Sequence, residues 1–226
     1  MITINPDQIT KFNRTEVELQ LFFVFCVLVS NKNSLRTANI VNKMFQFDAV
    51  TRFGLKVIEE HPRLSDEGIH APFQVIHIMI KNGMLRQWLE HWKTGQYTRI
   101  CKCLEEIHSM RLRRELGLAV GVLRYATVDQ LEQIHGIGPK TARFFVVHSR
   151  PNQPYAVLDT HVMTWLNQQH SECWPDVYIN TDTPTKPHFY NLFETLFLGE
   201  CQKWNLSPSE LDLLIWRYQK GGTNMK

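Results

Sequence analysis

The stretch "IHGIGPKTARFFVVHSRPNQPYAVLDTHV", residues 134–162, decides how the chain is read. It opens on two glycines around an isoleucine, with a proline and a lysine directly after. It closes on a lone acid, Asp159, at the end of the apolar run Ala156-Val157-Leu158. Pro139 suits the first position of a helix, where its fixed φ helps and its missing N–H is not needed. Upstream, Thr127 and Gln130 have the spacing of a capping box, so a short helix is expected over 127–133 and a second over 139–147. Gly136 and Gly138 separate the two. Glycine admits left-handed backbone and lets a ligand come close to the chain. The amides of such a turn, of Ile137 within it and of Thr141 just beyond, point outward and suit a phosphate. A plain hairpin of two helices with a glycine cap would use the same residues, and the turn alone leaves both readings open.

Lys140 stands in the first turn of the second helix. The helix dipole disfavours an ammonium there, as does partial burial beside Phe144 and Phe145. Both effects favour the neutral amine, which is the nucleophilic form. A solvated lysine that merely touches phosphate is the alternative. Asp159 precedes a helix expected over 160–169, so its simplest role is that of an N-cap. Capping leaves the second carboxylate oxygen free, and near an amine it could take a proton or stabilise a developing cation. His161, two positions on, either orients a phosphate or is an ordinary first-turn histidine.

Outward from this stretch the pattern stays helical. Apolar residues recur at three- and four-residue steps over 35–47, and helices are expected over 16–29, 48–60, 73–93, 98–109, 188–204 and 210–220. The segments 61–72, 149–154 and 173–187 read as connections, and no stretch reads as a convincing strand, so the fold class is all-α. The most apolar run, "LQLFFVFCVLVS" at 19–30, is 12 residues long. A bilayer span needs about 20, so this is a buried central helix and no membrane association is expected. With 226 residues, 43% hydrophobic and 21% charged, the chain can fill a core and lacks the signature of disorder. That length fits one domain or two lobes around a cleft. A net charge of +3 and a pI near 8.6 are compatible with a polyanionic partner without requiring one. The five cysteines are scattered with no CxxC pair, which reads as a reducing compartment with neither disulfide framework, iron–sulfur cluster nor structural zinc.

"GIGPKTA" followed by "LDTH" resembles the DNA glycosylase superfamily defined by a helix-hairpin-helix, a Gly/Pro-rich loop and an aspartate, with "SRPNQP" in the place of that loop. The resemblance implies two helical lobes flanking a cleft, one of residues 48–155 and one of 1–47 with 156–226. It implies Asp159 as the essential carboxylate. A lysine where Lys140 stands marks members that excise a base and then cleave the strand as AP lyases, through an imine. The hairpin residues Gly136, Ile137, Gly138 and Thr141, with His161, would grip the DNA backbone. "VLVSNKNSLRTANIVNKMF" at 27–45 is similar to the early helix-turn-helix of 8-oxoguanine glycosylases, which implies base-wedge and opposite-base roles for Asn31, Asn33 and Arg36; a polar inter-helix turn is the alternative. "GQYTRICK" at 95–102 matches a helix start at which Tyr97 and Arg99 would touch DNA, against a simply solvated helix end. The final helix and tail resemble short archaeal-type 8-oxoguanine glycosylases, implying Lys226 as a base-pocket group, with a frayed terminus as the alternative. Phe144 and Trp216 could stack on a base. Trp165 could also stack on a base, although aromatic residues at helical spacing more often fill the core. The missing cysteine cluster favours 8-oxoguanine; the "LDTH" wording is nearer endonuclease III-type enzymes and keeps an oxidised or modified pyrimidine open. A non-catalytic helix-hairpin-helix DNA-binding protein is the rival from another class. The implied partner is double-stranded DNA with a damaged base, bound by a monomer in the cytoplasm, nucleoid or nucleus. No catalytic metal or organic cofactor is implied, only a monovalent cation at the hairpin.

Overall fold

The structure, a computed structural model, describes residues 2–30, 32–46, 71–113, 123–170 and 181–221. Among them the chain is all-helical. A short 3-10 turn at Pro6–Gln8 precedes α1 (Glu16–Val29), α2 (Ser34–Met44), α3 (Pro72–Lys81), α4 (Leu85–His91), α5 (Tyr97–Arg113), α6 (Val128–Glu132), α7 (Pro139–Ser149), α8 (Thr160–His170), α9 (Pro187–Trp204) and α10 (Pro208–Gly221). They form two compact units, Met1–Gly138 and Pro139–Lys226. The helix expected over 48–60 lies outside the described residues, as do Asn31 and Lys226.

In the first unit α1 is the central helix that its apolar sequence requires. Every residue from Leu19 to Leu28 is buried, because a helix that is apolar all round has no face to offer water. A capping box starts it: Thr15 Oγ1 accepts from the Glu18 amide at 3.3 Å, and Glu18 Oε2 accepts from the Thr15 amide at 2.7 Å. Helix α2 packs on α1 through its apolar face, including Ala38, Val41 and Met44. The N-terminal arm adds Ile2, Ile4 and Ile9 to the core. The single helix expected over 73–93 is two helices. Gly83 is left-handed at φ 65°, the Met84 amide reaches back to Met79 O at 2.8 Å, and the Gly83 amide to Ile80 O at 3.0 Å. That is a Schellman ending, which glycine makes at little cost and which stops α3 at Lys81.

The second unit builds its core from α8, α9 and α10, with Val162, Met163, Trp165, Leu166, Tyr190, Phe197, Leu211 and Ile215 packed together. Trp165 is 1% exposed and is a core residue. The run Ala156-Val157-Leu158 leads into α8, and side chains satisfy its polar backbone where a sheet otherwise would. Tyr190 Oη donates to Ala156 O at 2.9 Å and accepts from the Leu158 amide at 3.3 Å. Glu194 Oε1 accepts from the Ala156 amide at 2.8 Å and pairs with Arg143 Nε at 2.8 Å. The Arg143 guanidinium also lies 4.4 Å from the Tyr190 ring centre, a cation–π contact within this cluster.

Replacing Tyr190 with Phe keeps the volume but strands the Ala156 carbonyl and Leu158 amide in the core. The expected cost is about 1–3 kcal/mol, the usual penalty for unsatisfied buried polar groups, read as a lower urea midpoint. An unchanged midpoint would mean that Tyr190 does not hold this run.

Candidate active site

The turn between α6 and α7 begins as the sequence requires. Thr127 Oγ1 accepts from the Gln130 amide at 3.2 Å and Gln130 Oε1 from the Thr127 amide at 2.9 Å, closing the expected capping box. Ile134 and Ile137 anchor the turn in the core, and the Ile137 amide donates to Ile134 O at 3.0 Å. The two glycines are not equivalent. Gly136 is left-handed at φ 79°, and a Cβ there would meet Arg99 Cγ at 2.8 Å. Gly138 is not left-handed, and open space surrounds the position of its absent Cβ. Gly136 therefore shapes the turn, while Gly138 leaves it uncovered.

Arg99 is half-buried and bonded within the first unit, not simply solvated. Its Nη1 donates to Gly136 O at 2.7 Å, its Nη2 to Val27 O at 2.8 Å and its Nε to Gln96 Oε1 at 2.7 Å. Burial lowers its pKa, the cost of holding a guanidinium inside the unit. It clamps the hairpin to the end of α1 and spends three of its five N–H donors within the unit. Its charge also disfavours a cation beside the Gly136 carbonyl, one of the hairpin oxygens.

Lys140 and Asp159 lie together in the second unit. Asp159 caps α8, with Oδ1 accepting from the Val162 amide at 2.9 Å. Its Oδ2 has no hydrogen-bond partner among the described residues, which is the free oxygen that a capping aspartate can offer. Lys140 is half-buried, and no hydrogen bond or ion pair engages its amine among the described residues. The two side chains interact electrostatically. Burial raises the Asp159 pKa above the usual aspartate value, and the charge of Asp212 raises it further. The Val162 amide, Lys140 and His161 pull in the opposite direction without cancelling the rise. The result is a carboxylate more basic than one in water.

Asp212 and His148 complete this cluster, and neither was singled out from the sequence. Asp212, on α10, is 8% exposed and accepts from or shares a proton with His148 Nε2 at 2.9 Å. His148 is fully buried on α7, with Phe144 edge-on to its ring at 5.0 Å. The sequence does carry a trace of both: a lone acid among Leu211, Leu213, Leu214 and Ile215, and a lone histidine after Val146-Val147. Pairing across 64 positions is not visible in either segment alone.

The remaining expected residues are spread more widely. Thr141 and Ile137 are buried, and the Ile137 amide already donates to Ile134 O, so of the two only the Thr141 backbone could meet a phosphate. Trp216 is half-buried, with Lys220 Nζ 4.6 Å from its ring centre. In the first unit Asn33 is the N-cap of α2, its Oδ1 accepting from the Arg36 amide at 2.9 Å, and Arg36 is exposed. No described helix is long and apolar enough to cross a membrane.

The fold resembles that of an 8-oxoguanine DNA glycosylase/lyase from Methanocaldococcus jannaschii. One structure of that protein, in complex with a 15mer DNA containing 8-oxoguanine, aligns with a TM-score of 0.58 and 19% identity over 95% of this chain and 86% of that one. A second structure of the Methanocaldococcus jannaschii 8-oxoguanine DNA glycosylase aligns with a TM-score of 0.58 and 19% identity over 97% of this chain and 86% of that one. No protein-family model matches the sequence, and no curated protein matches it.

Two substitutions probe this geometry. Gly136→Ala forces a left-handed alanine, costing roughly 1–2 kcal/mol, and drives its methyl into Arg99; a clear drop in melting temperature is expected. Asp159→Asn keeps the capping oxygen and removes a charge that the fold penalises. A raised folded-state pKa means that this penalty is present at neutral pH and fades as pH falls through the folded pKa towards the ordinary aspartate value. Asp159→Asn is therefore expected to be more stable than the parent at pH 7, with the gain shrinking at pH 4 in urea titrations. A destabilised variant at pH 7 would contradict the raised pKa.

Proposed function

We propose that the chain is a DNA glycosylase with AP lyase activity, acting as an intracellular monomer on duplex DNA, and that the base it removes is 8-oxoguanine. The observation carrying this reading is the unpaired Lys140 amine beside a basic, half-buried Asp159, in a fold similar to that of a glycosylase/lyase.

In this reading the damaged nucleotide leaves the stack, since enzymes that work on a base must take it out of the duplex. Asp159 takes a proton from the Lys140 ammonium through its free oxygen. The amine lone pair then attacks the sugar C1′, and the bond from C1′ to the base breaks, its electron pair leaving with the base. Asp159 passes that proton to the departing base and, ionised again, stabilises the positive charge that develops on the sugar. Ring opening converts the Lys140–sugar bond to an imine. Loss of a C2′ proton then expels the 3′ phosphate and nicks the strand. These steps need an amine, a carboxylate and water, and no metal or organic cofactor is invoked. The hairpin amides beyond Gly138 and the half-buried His161 would hold the backbone, contacts that position DNA without reading its sequence.

Borohydride is expected to trap a covalent complex with duplex containing 8-oxoguanine, and Lys140→Gln to abolish it. Full trapping by that variant would remove Lys140 as nucleophile. Asp159→Asn should fold and bind duplex yet lose about 10²- to 10⁴-fold in base release, the range for a positioned acid or base. A panel of duplexes with one lesion each, oxidised pyrimidines included, fixes the base. Preference for a pyrimidine lesion would overturn 8-oxoguanine while leaving the mechanism intact.

A further inference from the structure

Three turns of the first unit are tied together. Arg99 joins the hairpin at Gly136 O to the end of α1 at Val27 O, and Gln96 Nε2 reaches Ser30 O at 3.4 Å. Between the α1–α2 turn and the α4–α5 turn is a pocket of about 300 Å³. Its lining includes Lys32, Asn33, Arg36, Lys93, Thr94 and Gly95, and no carboxylate. Three cationic side chains thus face one small volume with no acid in its lining among the described residues.

Each wall is specific. Lys32 Nζ donates to Leu28 O at 2.8 Å, which fixes the ammonium and leaves its other protons for a second acceptor. Its stem runs beside Gly95, whose absent Cβ would sit 3.8 Å from Lys32 Cε. Lys93, Gly95 and Gln96 are all left-handed, at φ 51°, 67° and 49°, and this tight turn brings Lys93 to the pocket rim. The N-terminus of α2 adjoins the same space, its dipole and first-turn amides favouring negative charge. Burial and the Arg99 charge together push the Lys32 ammonium down to about 8, strain that a bound anion would relieve.

We propose that this pocket seats one phosphate of a DNA strand, held by Lys32, Lys93 and the α2 N-terminus, as an anchor separate from the Lys140 site. The proposal rests on the reading of the protein as a DNA enzyme. A strand phosphate is favoured over a free anion because Arg99 ties this end of the unit to the hairpin, where the Gly136 and Gly138 amides make no hydrogen bond among the described residues and could meet a second phosphate. A chain of phosphates can engage both features; a lone ion engages one.

The test is fluorescence anisotropy with an undamaged duplex, across a salt series, for the parent, Lys32→Met, Lys93→Met and the double variant. The double variant is expected to bind several-fold more weakly at about 0.1 M salt. Its slope of log affinity against log salt should be shallower by about 0.9, the value of one phosphate contact. Lys32→Arg, which keeps the charge, should restore most of the slope. An unchanged slope in the double variant would overturn the anchor while leaving the enzyme reading in place; a parent that binds no duplex would sink both. Should Lys32→Met fail to fold, Lys93→Met, on an exposed turn, carries the same comparison. Inorganic phosphate supplies the other arm, with the Lys32 side-chain resonance followed by NMR. A resonance that moves with duplex supports the proposal, and one that moves with inorganic phosphate but not duplex reassigns the pocket to a free anion.

Discussion

In the second unit an amine and a carboxylate, Lys140 and Asp159, share one electrostatic field. Charges interact several times more strongly at a partly buried site than in water. Burial alone would leave Asp159 protonated more readily, and Asp212 strengthens that tendency; Lys140 and His161 oppose it. The balance leaves the Asp159 carboxyl above its usual pKa, while the cationic neighbours still favour its ionised form.

Several parts of the fold serve that balance. Capping by Oδ1 fixes the Asp159 side chain to the first turn of α8 and leaves the other oxygen open. Behind it, Tyr190, Glu194 and Arg143 hold the backbone of residues 156–158, so the chain delivers Asp159 from a braced approach and not from a loose loop. His148 fixes Asp212 from the buried side of α7, the helix that carries Lys140 eight positions earlier. The first unit spends its own charge differently. Arg99 is half-buried and braces the hairpin, while Lys32, Arg36 and Lys93 remain around a pocket with no acid among its described lining residues.

Local chemistry was legible in the sequence, and pairings across distance were not. Thr127 with Gln130 announces a capping box, Pro139 a helix start and Asp159 a cap, because each rests on contacts within a few residues. The unbroken apolar character of α1 likewise dictates its burial. The break at Gly83 was missed because an isolated glycine is tolerated inside a helix, and only its left-handed backbone shows that α3 ends there. Both hairpin glycines looked alike in sequence, yet Arg99, 37 positions before Gly136, makes only one of them sterically obligatory. Arg99 resembled a surface cation for the same reason: its three acceptors come from separate segments. Asp212 and His148 escaped notice because their value lies in a mutual bond and in the field at Asp159, neither of which has a local signature.

The most direct measurement is the protonation of Asp159 itself, followed by carboxyl ¹³C NMR in the parent and in Lys140→Met and Asp212→Asn. Removing the amine should move the Asp159 midpoint up, and removing the neighbouring acid should move it down. A midpoint indifferent to Lys140→Met would place the amine and the carboxylate in separate electrostatic surroundings, and the joint site would not exist.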